Sequence, residues 1–314
     1  MLLSKTTLSG FLNDIDTFEA VRQGLADTFY QLRADQASTT EEKDALDDRR
    51  NATIDARHAI EVLQANIKID QAQQKQLLAI SKGNERAYSA VVSAKENRAA
   101  QIRSALFDLS GAKAIPFGDA YNYALTVYKK TGVAPSYLLA ILKQETNIGA
   151  NVGSCYLTNT YDGSGINTKT QATVPNVMKP ARDVAPFISI TASLGMDYKT
   201  AVVSCPQSIG FGGGMGPAQF IASTWMLLKD RIGQALGIPT PNPWNPADAF
   251  MAAGLYLSDL GAGSTSYSAQ RNAACKYYSG RACGYVSGAT GYGNSVMSLA
   301  DSIQRNQINP LLGL

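Results

Sequence analysis

Glu145 is the only glutamate downstream of Glu96, and it closes an apolar run, Leu138-Leu-Ala-Ile-Leu-Lys-Gln-Glu145. The chain beyond it holds aspartates but no histidine, because the one histidine, His58, lies far upstream. Acid–base chemistry in this half must therefore be built on a carboxylate. Apolar helix neighbours would desolvate Glu145 and raise its pKa, the condition for an acid that donates a proton near neutral pH. Lys143 should project away from it on a helix. Cleaving a glycosidic bond needs such an acid, together with a group that stabilises positive charge at the anomeric carbon. Asp162 and Asp183 are the candidates for a second carboxylate, although both lie in irregular sequence. Taken alone, Glu145 equally fits a tolerated, partly exposed position.

The elements that must hold this residue lie in the second part of the chain. Gly, Pro and Asn break it into short amphipathic stretches, which predict helices over 118–131, 135–149, 217–236, 246–261, 266–279 and 292–306. The stretch 150–214 is rich in Gly, Asn, Thr and Ser, with few helix signals, and reads as a long insertion. All four cysteines, Cys155, Cys205, Cys275 and Cys283, fall in this part. They form no CxxC motif and have no histidines nearby, so zinc is not expected and neither is any other metal or cofactor. Two disulfides in an oxidising compartment fit the count. The expected pairs are Cys275–Cys283, across a short loop, and Cys155–Cys205, clasping the insertion, although three connectivities are possible.

The first part differs in kind. Of the chain's 28 Lys+Arg and 25 Asp+Glu, 15 and 16 lie in residues 1–114. It is polar and nearly balanced, and it lacks the apolar content of a globular core. Phe11, Ile15, Phe18, Val21, Leu25 and Phe29 recur at three- and four-residue spacing, predicting a helix over 8–33. Asp35-Gln-Ala-Ser-Thr-Thr-Glu-Glu42 reads as a turn with capping residues, leading into a second helix over 40–109 that carries the interior glycine Gly83. Ile60, Leu63, Ile67 and Leu77 make a thin apolar seam, which points to a coiled-coil helical arm over 1–110 rather than a core helix. Gly111-Ala-Lys-Ala-Ile-Pro-Phe117 is the expected linker. No run approaches the roughly 20 apolar residues of a membrane span, and Met1-Leu-Leu-Ser-Lys-Thr-Thr lacks the apolar region and cleavage site of a signal peptide. The second part carries the remaining 13 basic and 9 acidic residues. That modest positive balance suits a polyanionic surface such as a cell wall or membrane and is too weak to argue for nucleic acid.

Three ordered stretches resemble the lytic transglycosylases, and most nearly the membrane-bound lytic murein transglycosylase B type. They are Gln144-Glu145-Thr146; then Gly213-Gly-Met-Gly-Pro-Ala-Gln-Phe220 with Ser223-Thr-Trp225; then Ala274-Cys-Lys-Tyr-Tyr-Ser-Gly280. Ala252-Ala-Gly-Leu-Tyr-Leu257 also looks like that family's Ala-Ala-x-x-Leu helix. The resemblance covers roughly 115–306. Two positions depart from the family pattern. Thr146 stands where a serine is usual, and Tyr277-Tyr278-Ser279-Gly280 stands for Tyr-Asn-x-Gly, so an amide that helps orient substrate in relatives is replaced by Tyr278.

The resemblance implies a mainly α protein in which a lysozyme-like catalytic domain over 118–314 follows the coil. It implies cleavage of the β-1,4 bond between N-acetylmuramic acid and N-acetylglucosamine in peptidoglycan, with Glu145 as single acid and base. The substrate's acetamido group replaces the second carboxylate, and a 1,6-anhydro product forms without water. Expected substrate-binding residues are Gln144, Thr146, Gly214, Met215, Gly216, Gln219, Phe220, Tyr277, Tyr278 and Tyr292. Gly214 and Gly216 would let backbone approach a sugar, Met215 would form an apolar wall, and Gln219 would supply an amide. Met215 and Trp225 also fit simple core positions, and Gln219 a helix cap. A hydrolytic muramidase on the same scaffold, and a wall-binding scaffold without turnover, are the alternatives. The setting implied is extracytoplasmic. The coil resembles those of bacterial wall hydrolases, with a membrane or divisome-type complex, or a second copy, as candidate partners.

Overall fold

The computed structural model describes residues 8–83, 86, 88–93, 115–207 and 210–312. The protein is mainly α-helical. Contacts within the chain divide it into two compact units, with the boundary at Glu61–Val62.

Helix α1 runs unbroken from Leu8 to Ser81, 74 residues, or about 110 Å at 1.5 Å per residue. It passes straight through the turn expected at 35–42. Thr39 and Thr40, read from sequence as capping residues, instead donate their hydroxyls back to the carbonyls of Asp35 and Gln36, at 2.7 and 2.8 Å. The helical backbone accommodates that bond without a break, and neither Gly nor Pro is present there to end it. The expected passage of a second helix through Gly83 does not occur. Gly83 takes a left-handed φ of 71°, and the Lys82 and Gly83 amides bond back to Leu78 and Ile80, a C-terminal cap. Helix resumes at Arg86 and 88–93. The rest of the expected helix up to 109 lies outside the described residues. Along α1, Phe18, Leu25, Ile60, Leu63, Ile67 and Leu77 are all exposed. No helix among the described residues is long and apolar enough to cross a membrane.

Among the described residues the folded core begins at Ile115, whose amide bonds to the carbonyl of Ile148. Helix α2 (Phe117–Thr131) starts directly after Pro116 and stops at Gly132, which is left-handed. Helix α3 (Pro135–Thr146) has proline in its first turn, and every residue from Ser136 to Leu142 is buried. This is the central helix. It stops at Thr146 rather than 149 because Asn147 and Ile148 both adopt positive φ, 51° and 54°.

The insertion is more ordered than its composition suggests. Strands β1 (Cys155–Leu157), β2 (Gly165–Asn167) and β3 (Thr173–Val174) form an antiparallel sheet in chain order, with Cys155 opposite Asn167 and Ile166 opposite Thr173. A π-helical turn, Pro180–Val184, then leads into α4 (Ala185–Ser193). Val203 bridges back to Cys155 on one side and to Met215 on the other. The insertion is thereby stitched to the Gly-Met-Gly segment.

The remaining helices are α5 (Ala222–Leu236), α6 (Pro246–Asp259), α7 (Tyr267–Ser279) and α8 (Ala289–Ile303), after which a π-helical turn (Gln304–Ile308) leads into the short α9 (Asn309–Leu311). Helix α5 begins five residues later than the sequence suggests, because 216–219 make a turn. Asn245 caps α6 and Ser266 caps α7, each accepting backbone N–H bonds from the first turn. Helix α3 packs chiefly against α8 and α2, α7 against α8, and α2 and α5 against α6. Trp225 is buried in the core beside Phe220, and its indole N–H finds no hydrogen-bond partner among the described residues. The other tryptophan, Trp244, donates its indole N–H to the Val202 carbonyl at 2.8 Å. Both expected disulfides are formed, Cys155–Cys205 and Cys275–Cys283.

Candidate functional site

Glu145 sits in the last turn of α3, half-buried, where the helix meets a cleft of about 260 Å³. Ala218, Gln219, Phe220, Ile221, Thr224, Tyr256, Tyr277 and Tyr278 line that cleft with it. Burial raises the pKa of the Glu145 carboxyl, and a hydrogen bond from Tyr292 pulls partly the other way. The Tyr292 hydroxyl donates to Oε1 at 2.5 Å. Burial in turn raises the Tyr292 phenol, and the neighbouring Glu145 charge raises it further. Tyr292 is thus a neutral donor that fixes one oxygen, Oε1, of the acid.

The second wall comes from the 215–220 segment. Met215 and Phe220 pair across a tight turn, with the Met215 amide bonded to the Phe220 carbonyl at 3.0 Å. Gly216 has φ 58°, and a Cβ there would lie 1.9 Å from the Pro243 carbonyl oxygen, so only glycine fits. Gln219 takes φ 54°, uncommon for a residue with a side chain. Its amide donates to Gly216 O at 2.8 Å and to Val152 O at 3.3 Å. The strained backbone therefore turns Gln219 onto the cleft wall with its N–H groups already engaged.

Thr146 joins the two walls. Its side chain is buried, donating to the Pro217 carbonyl at 2.8 Å and accepting from the Gly149 amide at 2.9 Å. Thr146, expected from sequence as a substrate contact, sits away from solvent with its hydroxyl fixing the turn against the end of α3. Met215 is likewise buried and packs in the core rather than forming an open wall. Gly214 and Gly216 are buried backbone positions. Gln144 is exposed beside the acid, and its Oε1 lies 3.4 Å from the Ser295 hydroxyl.

Tyr256 on α6 and Tyr277 on α7 meet Phe220, just before α5, in an aromatic cluster. Phe220, Tyr256 and Tyr277 contact one another edge to face, with centroids 5.7–6.5 Å apart. Tyr277 donates its hydroxyl to the Ala218 carbonyl at 3.2 Å, and burial raises its phenol well above the ordinary range. Tyr278 is 57% exposed and stacks on Tyr292 at 4.9 Å. The Cys275–Cys283 disulfide braces this corner. Gly293, next to Tyr292, is so close that a Cβ would fall 2.6 Å from the Cys275 sulfur.

Glu145 is the one carboxylate among the described residues that line the cleft. Asp183 lies elsewhere, fully buried, accepting from the Ser223 hydroxyl and amide and from Arg182. Asp162 is on the surface, where it accepts from the Ser164 amide within its own turn. Neither of these two aspartates, considered from sequence as a second carboxylate, lines the cleft. Tyr256, Ile221 and Thr224 were not anticipated as cleft residues. Tyr256 stands inside the Ala252–Leu257 helical pattern, where its spacing is indistinguishable from core packing.

No family model and no curated protein matches the sequence. Among solved structures the chain is similar to a 36 kDa muramidase/transglycosylase, at 16% identity, 61% of this chain and 72% of that one, with TM-score 0.42. It is also similar to the Escherichia coli lytic transglycosylase Slt35 in two complexes. With bulgecin A the identity is 15%, over 61% of this chain and 71% of that one, with TM-score 0.39. With calcium it is 14%, over 76% and 93%, with TM-score 0.39.

Proposed function

We propose that this protein is a peptidoglycan lytic transglycosylase in which Glu145 serves as both acid and base. The observation that carries the reading is a single carboxylic acid in an aromatic cleft, desolvated so that its pKa is raised and held at one oxygen by a neutral phenol. The ordered motifs around Glu145, Gly214–Phe220 and Tyr277–Gly280 support the same reaction class.

Glu145 gives its proton to the glycosidic oxygen as the bond to the anomeric carbon of N-acetylmuramic acid breaks. The carbonyl oxygen of that sugar's acetamido group attacks the anomeric carbon from the opposite face, which dispenses with a second carboxylate. Glu145, now ionised, removes a proton from the C6 hydroxyl. The hydroxyl oxygen then closes on the anomeric carbon, expels the acetamido oxygen and leaves Glu145 protonated as at the start. Tyr292 stabilises the carboxylate between the two proton transfers.

Two disulfides fit an extracytoplasmic site of action, with glycan strands of the wall as the partner of the cleft. For α1, the exposed apolar residues fit a coiled-coil role, with a membrane-associated complex or a second copy as the other strand.

Digestion of purified peptidoglycan, with mass spectrometry of the soluble products, tests the reading. Anhydro-muropeptides are expected. Reducing-end products would replace transglycosylation with hydrolysis, and the absence of soluble product would make the chain a wall binder. Glu145→Gln should abolish release, and persistent release from that variant sinks the mechanism.

A further inference from the structure

Resting on the glycan-cleaving role proposed above, we propose that Tyr278 is a specificity-determining residue, an aromatic platform for the face of one sugar ring beside the scissile bond. In the resembling motif this position carries an amide, which reads substrate through directed hydrogen bonds. Here it carries a ring.

The geometry gives that ring one bound face and one open side. Tyr277 and Tyr278 are consecutive on α7, so they point in different directions. Tyr277 goes into the aromatic cluster, bonded to Ala218. Tyr278 lines the cleft with Glu145 yet stays 57% exposed. One face of its ring lies on Tyr292, with planes 23° apart, and Tyr292 is itself tied to Glu145. The platform and the acid are thus held in one rigid set, Tyr278 on Tyr292 on Glu145. The Cys275–Cys283 disulfide ties α7 to the loop that precedes α8, and its sulfurs pack against Gly293, the neighbour of Tyr292.

An exposed ring of this kind binds the C–H face of a pyranose, removing apolar surface from water on both sides. It selects for a flat, all-equatorial sugar ring rather than for the orientation of one polar substituent. The cleft therefore recognises sugar-ring shape at this position.

The test uses the full chain carrying Glu145→Gln, so that substrate survives. The probe is a tetrasaccharide of alternating N-acetylglucosamine and N-acetylmuramic acid, with affinity measured by calorimetry and the bound sugar followed by proton NMR. Adding Tyr278→Phe should leave affinity within about twofold, because stacking needs no hydroxyl. Adding Tyr278→Leu, which keeps apolar bulk but no ring, should weaken binding roughly tenfold. It should also remove the upfield ring-current shift of the sugar protons. A residue that merely packs would alter the thermal melt without touching those shifts. Binding with shifts and affinity unchanged in Tyr278→Leu overturns the platform alone. If the Glu145→Gln parent binds no tetrasaccharide, the platform and the proposed function both fall.

Discussion

An acid that later acts as a base works best when neither of its forms is too stable, and for the role proposed for Glu145 two opposing influences set that balance. Burial favours the protonated form, and the Tyr292 hydroxyl favours the ionised one. Removing the hydroxyl leaves burial unopposed. Tyr292→Phe should therefore move the alkaline limb of the pH–rate profile upward, since activity is lost as the acid ionises, and should lower the rate about tenfold or more. A limb that stays put would show that Tyr292 does not act on the proton. The same raised pKa affects stability. In the unfolded chain the carboxyl ionises in its ordinary range, and in the folded protein only at higher pH. The stability that this preference contributes is complete below the unfolded value and is lost as pH rises through the folded one. Glu145→Gln should thus melt at a higher temperature than the parent at neutral pH, and at nearly the same temperature in acid. Glu145 was legible in the sequence because it had no rival. Tyr256 was not, since an aromatic at helical spacing looks the same whether it faces a core or a cleft.

Among the elements, the turn at 216–219 and the end of α3 form one device, joined through the Thr146 hydroxyl. Thr146→Val would leave a buried carbonyl and amide without partners, at a cost of about 2 kcal/mol, whereas Thr146→Ser keeps both bonds and should lose less than about 1 kcal/mol. Denaturant midpoints of the two variants check the difference. Gly216→Ala places a Cβ against the Pro243 carbonyl at a left-handed φ, and about 3 kcal/mol or more of stability should go with it. The helices around this device were largely readable, because their apolar faces repeat every three or four residues. What sequence could not convey was competition at their ends. Asn147 and Ile148 end α3 early by adopting positive φ, and Thr39 and Thr40 bond backwards along α1 instead of capping a new helix. The insertion was the least legible element. Its strands are two or three residues long, too short for alternation to register, and they are held by pairing and the Cys155–Cys205 bridge rather than by propensity.

At the scale of the molecule, the two disulfides differ in what they restrain. In the chain-entropy account the bridge across 50 residues contributes about 4 kcal/mol and the one across 8 residues about 2.5 kcal/mol. Cys155→Ala with Cys205→Ala should therefore lower stability more than the Cys275, Cys283 pair does. The second pair should nonetheless depress the proposed glycan cleavage more at equal folded fraction, because its sulfurs pack against Gly293 beside Tyr292. Equal activity losses in both double variants would overturn that division. The folded core also carries a built-in optical probe. The chain has two tryptophans, neither in α1, so emission on exciting indole is silent about the long helix. Trp225, buried and with no partner for its N–H among the described residues, should emit at the blue end of the range. It lies against Phe220, a wall of the cleft, so a glycan entering there should change the light it gives without any dye being attached.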